Sequence, residues 1–123
     1  MLKTFVLVLI AAVIGGTGHV MLSKAMKTVG DLTEAPASML FGMVGRAVSN
    51  PWLVLGVALQ ATFFFLYLTL LSRAHVSQVL PMTAIDYIVV ALLAQLLLAE
   101  TVTPVRWAGI GFIVAGVFLV SRT

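Results

Sequence analysis

A single carboxylate, Asp86, lies near the middle of the apolar run from Val76 to Ala99, where the sequence reads PMTAIDYIVV. Placing a charged aspartate at the centre of a bilayer costs about 2.5–3.5 kcal/mol even on lenient insertion scales. Acidic side chains inside membrane segments are therefore candidates for function. The chemistry that such a group supports is the binding of a cationic or hydroxyl-bearing headgroup, or of a small cation or proton.

Other polar side chains in or beside the apolar runs could share a binding site with Asp86; they are His19, Lys24, Gln60 and Tyr87. A buried amide in hydrocarbon requires a hydrogen-bond partner. One interpretation makes Asp86 a structural contact that is hydrogen-bonded across helices to Gln60 or Tyr87. The other places Asp86 in a cleft, where it meets a headgroup with His19 or Lys24 within reach and Lys24 attracts a phosphate at the mouth.

Several classes of chemistry are not indicated by the sequence. There are no cysteines, which excludes disulfides and thiolate metal sites, and the two histidines lack metal-ligand spacing. The chain carries no glycine-rich phosphate loop, nucleophile elbow or acid pair at catalytic spacing. The net charge of +3 suits a membrane protein that faces anionic lipid. We therefore predict no enzymatic activity, no metal or other cofactor and no nucleic-acid partner.

Composition indicates the environment in which these groups lie. Of the 123 residues, 62% are hydrophobic and 9% are charged, against about 25% charged in an average soluble domain. A spanning helix needs about 20 mostly apolar residues, and four runs qualify: Phe5 to about Lys24, Pro51–Leu71, Val76–Ala99 and Pro104–Val120. The first run is too long for a secretory signal peptide. The prediction is an all-α integral membrane protein, a single four-helix transmembrane domain over residues 1–123.

The longest connection, from Thr28 to Asn50, contains a short amphipathic piece whose apolar residues recur at helical spacing: Met39, Leu40, Met43, Val44 and Ala47. Such a piece is too short to cross the bilayer, and we predict a short helix in the membrane interface. The alternative is an N-terminal extension of the second span that is broken at Asn50-Pro51, because proline disfavours helix in the preceding residue.

Two spans carry features of their own. Pro81 predicts a kink in the third span, beside a cavity, and Asp86 lies about 15 Å deep at 1.5 Å per residue. The fourth span is predicted to begin with Thr103 as N-cap and Pro104 at the first helical position.

Small residues in the first and last helices predict helix contacts. The patch GGTGH, residues 15–19, is either a packing notch or the lining of a substrate groove. In the fourth helix the small residues include Gly109, Gly111, Ala115 and Gly116. We predict that this face packs against another helix in a homodimer or in a heteromer with a similar small membrane protein, because four short helices enclose little volume.

Three basic residues fall on the side of the membrane that holds the chain termini, and four fall on the other side. The distribution of basic residues therefore does not predict the orientation of the chain in the membrane.

The second half of the sequence resembles the last two helices of the four-helix, EamA-like branch of the drug/metabolite transporter superfamily. That branch includes small multidrug resistance proteins and the paired small subunits that flip undecaprenyl-phosphate-aminoarabinose, to which the match is closer. The pattern is carried by Pro81-Met82, Glu100, Pro104, Trp107 and Gly109. The resemblance extends to the first helix through GTGHVMLSKAM, although only the second half is specific. It implies a small multidrug resistance-like bundle in the cell inner membrane.

One departure from the family pattern bears on function. Small multidrug resistance exporters carry an essential glutamate in the middle of the first helix, where this chain reads LIAAVIGG, with Ala11 and Ala12. The flippase-like subunits also lack that acid. The resemblance therefore favours a transporter subunit that moves a lipid-linked or amphipathic substrate, such as a polyprenyl-phosphate-linked sugar. The alternatives are a small-cation or drug–proton antiporter, with Asp86 replacing the missing acid, and a non-transporting scaffold subunit.

Overall fold

The computed structural model describes residues 2–123, and the regular elements in that range are helical. They are α1 (Leu2–Val29), α2 (Ala37–Ser49), α3 (Pro51–Arg73), α4 (Val76–Met82), a 3-10 turn (Thr83–Ile85), α5 (Asp86–Leu97) and α6 (Pro104–Ser121). Four helical segments are long and apolar enough to cross a membrane: α1, α3, the continuous stretch from α4 to α5, and α6. The four predicted spans are confirmed, and the first is longer than expected at both ends.

Local capping chemistry sets where two of the spans begin. The Asn50 side-chain oxygen accepts a hydrogen bond from the Trp52 amide at 2.9 Å, and the Thr103 hydroxyl accepts one from the Arg106 amide at 3.2 Å. A proline occupies the first helical position after each cap, where its missing N–H removes nothing from the helix. The predicted start of the fourth span is confirmed.

The third span is interrupted close to Asp86. Pro81 has no N–H and cannot bond the carbonyl one turn earlier, and the helix changes to a 3-10 turn two residues later. The Thr83 hydroxyl donates to the Leu80 carbonyl at 2.7 Å, which satisfies one acceptor at the break. Asp86 is the first residue of α5. The interruption predicted from Pro81 therefore places the carboxylate at the junction of two half-helices.

Glycines on α1 let its neighbours approach closely. A Cβ atom built on Gly15 would lie 2.8 Å from Phe63 of α3, and one on Gly16 would lie 2.9 Å from Val89 of α5. On Gly18 it would lie 2.9 Å from the side-chain nitrogen of Gln60. The structure thus supports the packing-notch interpretation of the GGTGH patch. Helix α1 is the central helix, in contact with both α3 and α5.

The helix α6 lies at the edge of the bundle. It packs against α4 and the 3-10 turn, and its buried residue is Val117. That side chain joins a core cluster near the ends of α1 and α3, formed by Val8, Ala11, Leu70, Val79, Met82 and Val117. Most of the α6 surface therefore faces away from the chain.

The predicted helix between the first two spans is present as α2, and extended backbone at Asn50 separates it from α3. Its Met43 and Ala47 side chains are buried against the end of α1. Phe41 and Val48, which lie together on a different face of α2 from Met43 and Ala47, are exposed. Thirteen residues extend about 20 Å, less than the hydrocarbon thickness. The exposed apolar face is that of a helix lying in the membrane interface.

The two ends of the bundle carry different charges. The end that holds both chain termini, called the termini end, carries the basic residues Lys3, Arg73 and Arg122 and none of the four acids. The opposite end, called the loop end, carries four basic residues together with Asp31, Glu34 and Glu100. There Thr33 donates its hydroxyl and its amide to the Asp31 carboxylate, and both bonds hold the pKa of Asp31 below its ordinary value.

Candidate functional site

Asp86 and His19 approach each other between α5 and α1. The distance from His19 Nε2 to Asp86 Oδ2 is 3.8 Å. Each residue lies ten positions from the nearer end of its span, about 15 Å deep at 1.5 Å per residue. The side chain of Asp86 is 10% exposed and that of His19 is 52% exposed. The pair is therefore a polar contact at mid-membrane depth whose histidine remains open to a ligand.

Gln60 belongs to α3, which packs on α1 on the side away from α5. Its side-chain amide donates to the Gly15 carbonyl oxygen at 3.0 Å, a contact that the glycine notch makes possible. This bond gives the part-buried amide one hydrogen-bond partner. Of the two alternative partners that the structural interpretation gave Asp86, Gln60 bonds elsewhere, because α1 separates α3 from α5.

Tyr87 is directed away from Asp86 although the two are adjacent in sequence. Consecutive residues of a helix are rotated by about 100°, so Asp86 faces α1 while Tyr87 faces α6. The tyrosine is half exposed and lines a cleft of about 220 Å³ between α5 and α6, together with Glu100 and Arg106. The alternative hydrogen bond from Tyr87 to Asp86 is therefore not formed, and Tyr87 lines a separate lateral opening.

Lys24 lies more than one turn from His19 along α1, toward the loop end. Its ammonium nitrogen is 4.0 Å from the centroid of the Trp52 ring, a cation–π contact with the start of α3. The structure does not pair Lys24 with Asp86 within this chain. The ammonium remains near the loop end, where the sequence predicted the mouth of a cleft.

An ion pair at the loop end was not predicted. Lys27 Nζ lies 2.7 Å from Glu100 Oε1, and Ala99 adopts a positive φ of 54° immediately before the glutamate. Left-handed backbone at a non-glycine residue costs about 1–2 kcal/mol. Both side chains are partly exposed, and a surface pair contributes about 0–1 kcal/mol. The sequence signal available was the placement of both residues at the same end of the bundle.

A group of side chains able to hold a metal ion requires several ligands close together. Within residues 2–123, no group of three or more His, Cys, Asp or Glu side chains is so arranged. In the pair of His19 and Asp86, the carboxylate can bind an ammonium group and the imidazole can bind a hydroxyl or phosphate oxygen.

Comparison with known proteins agrees with this architecture. The model of the EamA-like transporter family matches residues 2–122. The chain belongs to that family. This match confirms the resemblance to the EamA-like branch of the drug/metabolite transporters that was seen in the sequence. With four helices able to span a bilayer, the protein is a multi-pass membrane protein of a transporter family.

Several relatives bear the name "Probable 4-amino-4-deoxy-L-arabinose-phosphoundecaprenol flippase subunit ArnE". The one from Pseudomonas savastanoi pv. phaseolicola is 30% identical over 67% of this chain and 72% of its own length. The one from Proteus mirabilis is 36% identical over 57% of this chain and 62% of its own length. The Serratia proteamaculans relative is 29% identical over 83% of this chain and 91% of its own length. No solved structure matches the chain.

The first helix of this EamA-like protein has little room for an added acidic side chain at the two alanines. Ala11 is fully buried and Ala12 is 1% exposed. Ala11 belongs to the core cluster that joins α1 to α3, α4 and α6. A carboxylate at that position would be surrounded by apolar side chains.

The glycines of α6 differ from those of α1. A Cβ atom built on Gly109, Gly111 or Gly116 would meet nothing within 4 Å, and Ala115 is exposed. The small residues of α6 therefore do not pack against another helix of this chain. Their predicted role in contacting a second subunit stays a prediction.

Proposed function

We propose that this EamA-like chain is one subunit of an inner-membrane flippase that translocates a lipid-linked substrate. The observation that carries the proposal is the His19–Asp86 contact at mid-membrane depth. The family match and the names of the relatives support the same class of activity. A flippase must shelter a polar headgroup while the tails stay in lipid, and a few buried polar groups suffice for that.

The chemistry of the pair suits a headgroup that carries both an amine and a phosphate. The name of the relatives describes a lipid with an amino sugar linked through phosphate to a polyprenol. Asp86 would bind the ammonium group, because a carboxylate accepts strong charge-assisted hydrogen bonds. His19, half exposed beside it, would bind a hydroxyl or phosphate oxygen. Lys24 would attract the phosphate as it enters from the loop end.

Translocation can be tested by access to the amino group of the substrate. Proteoliposomes would contain a polyprenyl-phosphate-linked amino sugar and the protein with its partner subunit, and a membrane-impermeant amine reagent would be added outside. We expect the inner-leaflet pool to become reactive with the protein present and to stay protected in empty liposomes. Equal protection in both would contradict the proposal. Full reactivity with the partner alone would instead support the scaffold alternative.

A second subunit is proposed because four short helices enclose little volume and the small residues of α6 have no helix of this chain packed on them. Small residues allow close backbone approach between membrane helices, and the glycines of α6 meet no atoms of their own chain. We predict that Gly111→Leu combined with Gly116→Leu converts the oligomer to monomer in mild detergent, measured by light scattering or by crosslinking in bilayers. Ile113→Leu, an exposed position on the same helix that is rotated by more than about 100° from the middle of this face, is the control. An unchanged oligomer would exclude this face as the interface.

Proton-coupled export of cationic drugs is the competing hypothesis, and helix α1 bears on it directly. Ala11 and Ala12 cannot titrate, and the chain has no acid before Asp31. We predict that adding tetraphenylphosphonium to the purified protein releases no protons, as measured with a pH-sensitive dye in weak buffer. Expression is likewise expected to give little resistance to quaternary-ammonium compounds. Saturable proton release that survives Asp86→Asn would contradict this prediction.

A further inference from the structure

A cavity with several polar side chains in its lining lies at the termini end of the bundle, away from the His19–Asp86 pair. Its volume is about 920 Å³, within the range of roughly 300–1,000 Å³ that is typical of small-molecule sites. It lies where the start of α1, the turn between α3 and α4, and the end of α6 meet. The polar side chains that line it are Thr4, Ser72, Arg73, His75, Gln78 and Ser121.

The charged side chains around this cavity are all basic. Arg73 lines it, and Lys3 and Arg122 lie at the same end of the bundle. The four acids of the chain lie at the loop end or in the middle of the third span. The surroundings of the cavity therefore attract anions, and the low dielectric of adjacent lipid strengthens that attraction.

Arg73 is placed to bind a phosphate group. Its Nε atom lies 3.5 Å from the hydroxyl of Thr4, at the limit of a hydrogen bond, which holds the guanidinium at the junction of α1 and α3. Arginine has five N–H donors in a planar fork that matches phosphate geometry. The hydroxyl groups of Ser72 and Ser121 also line the cavity, but they donate to backbone carbonyl oxygens of their own helices. The N–H donors available for an oxyanion are therefore those of Arg73, with the side chains of His75 and Gln78 in the same lining.

The rest of the lining is apolar and suits the tail of a lipid. Leu2 and Phe5 are exposed at the cavity, where a tail could leave toward the bilayer. Met82 lines the cavity and also belongs to the buried core cluster. That cluster lies between the cavity and α5, so the cavity is a different site from the one that contains Asp86.

We propose that this termini-end cavity binds the phosphate group of an anionic lipid. The proposal concerns binding alone and stands whether or not the chain translocates lipid. The same chemistry would also accept free phosphate, and the experiment separates the two sources.

The probe is dioleoyl phosphatidylglycerol, compared with phosphatidylcholine in mixed micelles, and lipids bound to the full-length protein are counted by native mass spectrometry. The wild type is expected to retain phosphatidylglycerol in preference to phosphatidylcholine. Arg73→Gln should lower the affinity for phosphatidylglycerol by about tenfold, the effect of losing one charge-assisted hydrogen bond. Arg73→Lys, which keeps the charge without the planar fork, should fall between the two.

Arg122→Gln is the matched control, because it removes the same charge at the same end of the bundle from a residue that stacks over Phe118 and does not line the cavity. Arg122 attracts an anion only at long range, where salt screens its charge, and it makes no contact with the cavity. Its loss should therefore lower the affinity by no more than about twofold, against about tenfold for Arg73→Gln. Equal losses in Arg73→Gln and Arg122→Gln, or no preference for phosphatidylglycerol in the wild type, would overturn the proposal. If Arg73→Gln does not fold, His75→Gln serves as the second cavity variant and should also weaken retention.

A competition arm with excess inorganic phosphate identifies the source of the anion. Displacement of phosphatidylglycerol by inorganic phosphate would show that the polar lining alone binds the phosphate group. Retention of the lipid under excess phosphate would show that the apolar rim at Leu2 and Phe5 contributes. Either result supports a phosphate site, provided that Arg73→Gln weakens the binding.

Discussion

Asp86→Asn is expected to lower the initial rate of lipid translocation by about tenfold or more, the cost of removing a hydrogen bond to a charged group. Asparagine has nearly the same shape as aspartate and still forms hydrogen bonds, so the junction between the 3-10 turn and α5 should be preserved. What the variant loses is the charge that binds an ammonium headgroup. The Asp86 side chain is buried, and His19 Nε2 lies 3.8 Å away. Water therefore has little access to the position from which it would have to solvate the ammonium group in place of the carboxylate.

The measurement is the amine-access assay in proteoliposomes, with elution volume and circular dichroism to establish that the variant folds and assembles. Glu100→Gln is the matched control, because it removes a carboxylate from a partly exposed pair at the loop end. That variant should translocate at close to the wild-type rate. If folded, assembled Asp86→Asn also translocates its lipid at the wild-type rate, the headgroup role is wrong and Asp86 is a structural contact.

Gly16→Ala is expected to destabilise the bundle by about 1–2 kcal/mol. The added Cβ would lie 2.9 Å from both Cβ and Cγ1 of Val89 and 3.2 Å from the backbone oxygen of Asp86. Backbone atoms of a packed helix cannot move as a flexible side chain can, so α1 and α5 would have to separate. Overpacking of this kind costs about 1–3 kcal/mol, which outweighs a helix-propensity gain of up to about 1 kcal/mol for replacing glycine.

The change in unfolding free energy would be measured by titration with sodium dodecyl sulfate in mixed micelles, followed by circular dichroism. Gly111→Ala is the control, since the same added methyl group meets nothing within 4 Å on α6. It should be neutral or slightly stabilising in the monomer. Equal stability of Gly16→Ala and Gly111→Ala would mean that the close contact between α1 and α5 does not limit the stability of the bundle.

The outcome of the site predictions depended on the direction of each side chain. Asp86 and His19 were predicted to be within reach and lie 3.8 Å apart. Neither of the two alternative bonds from Asp86, to Gln60 or to Tyr87, is formed. Sequence spacing gives the depth of a residue in a span, but it does not give the rotation of one helix relative to another. That rotation depends on which side chains of α3 and α5 pack on the glycines of α1.

The sequence by itself determined the elements whose causes are local. The number of spans follows from the length of each apolar run against the bilayer thickness. The starts of α3 and α6 follow from an Asn-Pro and a Thr-Pro pair, and the break near Asp86 follows from the missing N–H of Pro81. The family resemblance carried by Pro81, Glu100 and Trp107 was also readable without coordinates.

Only the tertiary structure decided how the small residues are used and where the cavities lie. The glycines of α1 and α6 look alike in sequence, yet Gly16 meets Val89 while Gly111 meets open space. The termini-end cavity joins Thr4, Arg73 and Ser121, which are far apart in the chain. The physical reason is that packing between helices depends on surfaces contributed by several segments at once, whereas spans and caps depend on neighbouring residues and the surrounding lipid.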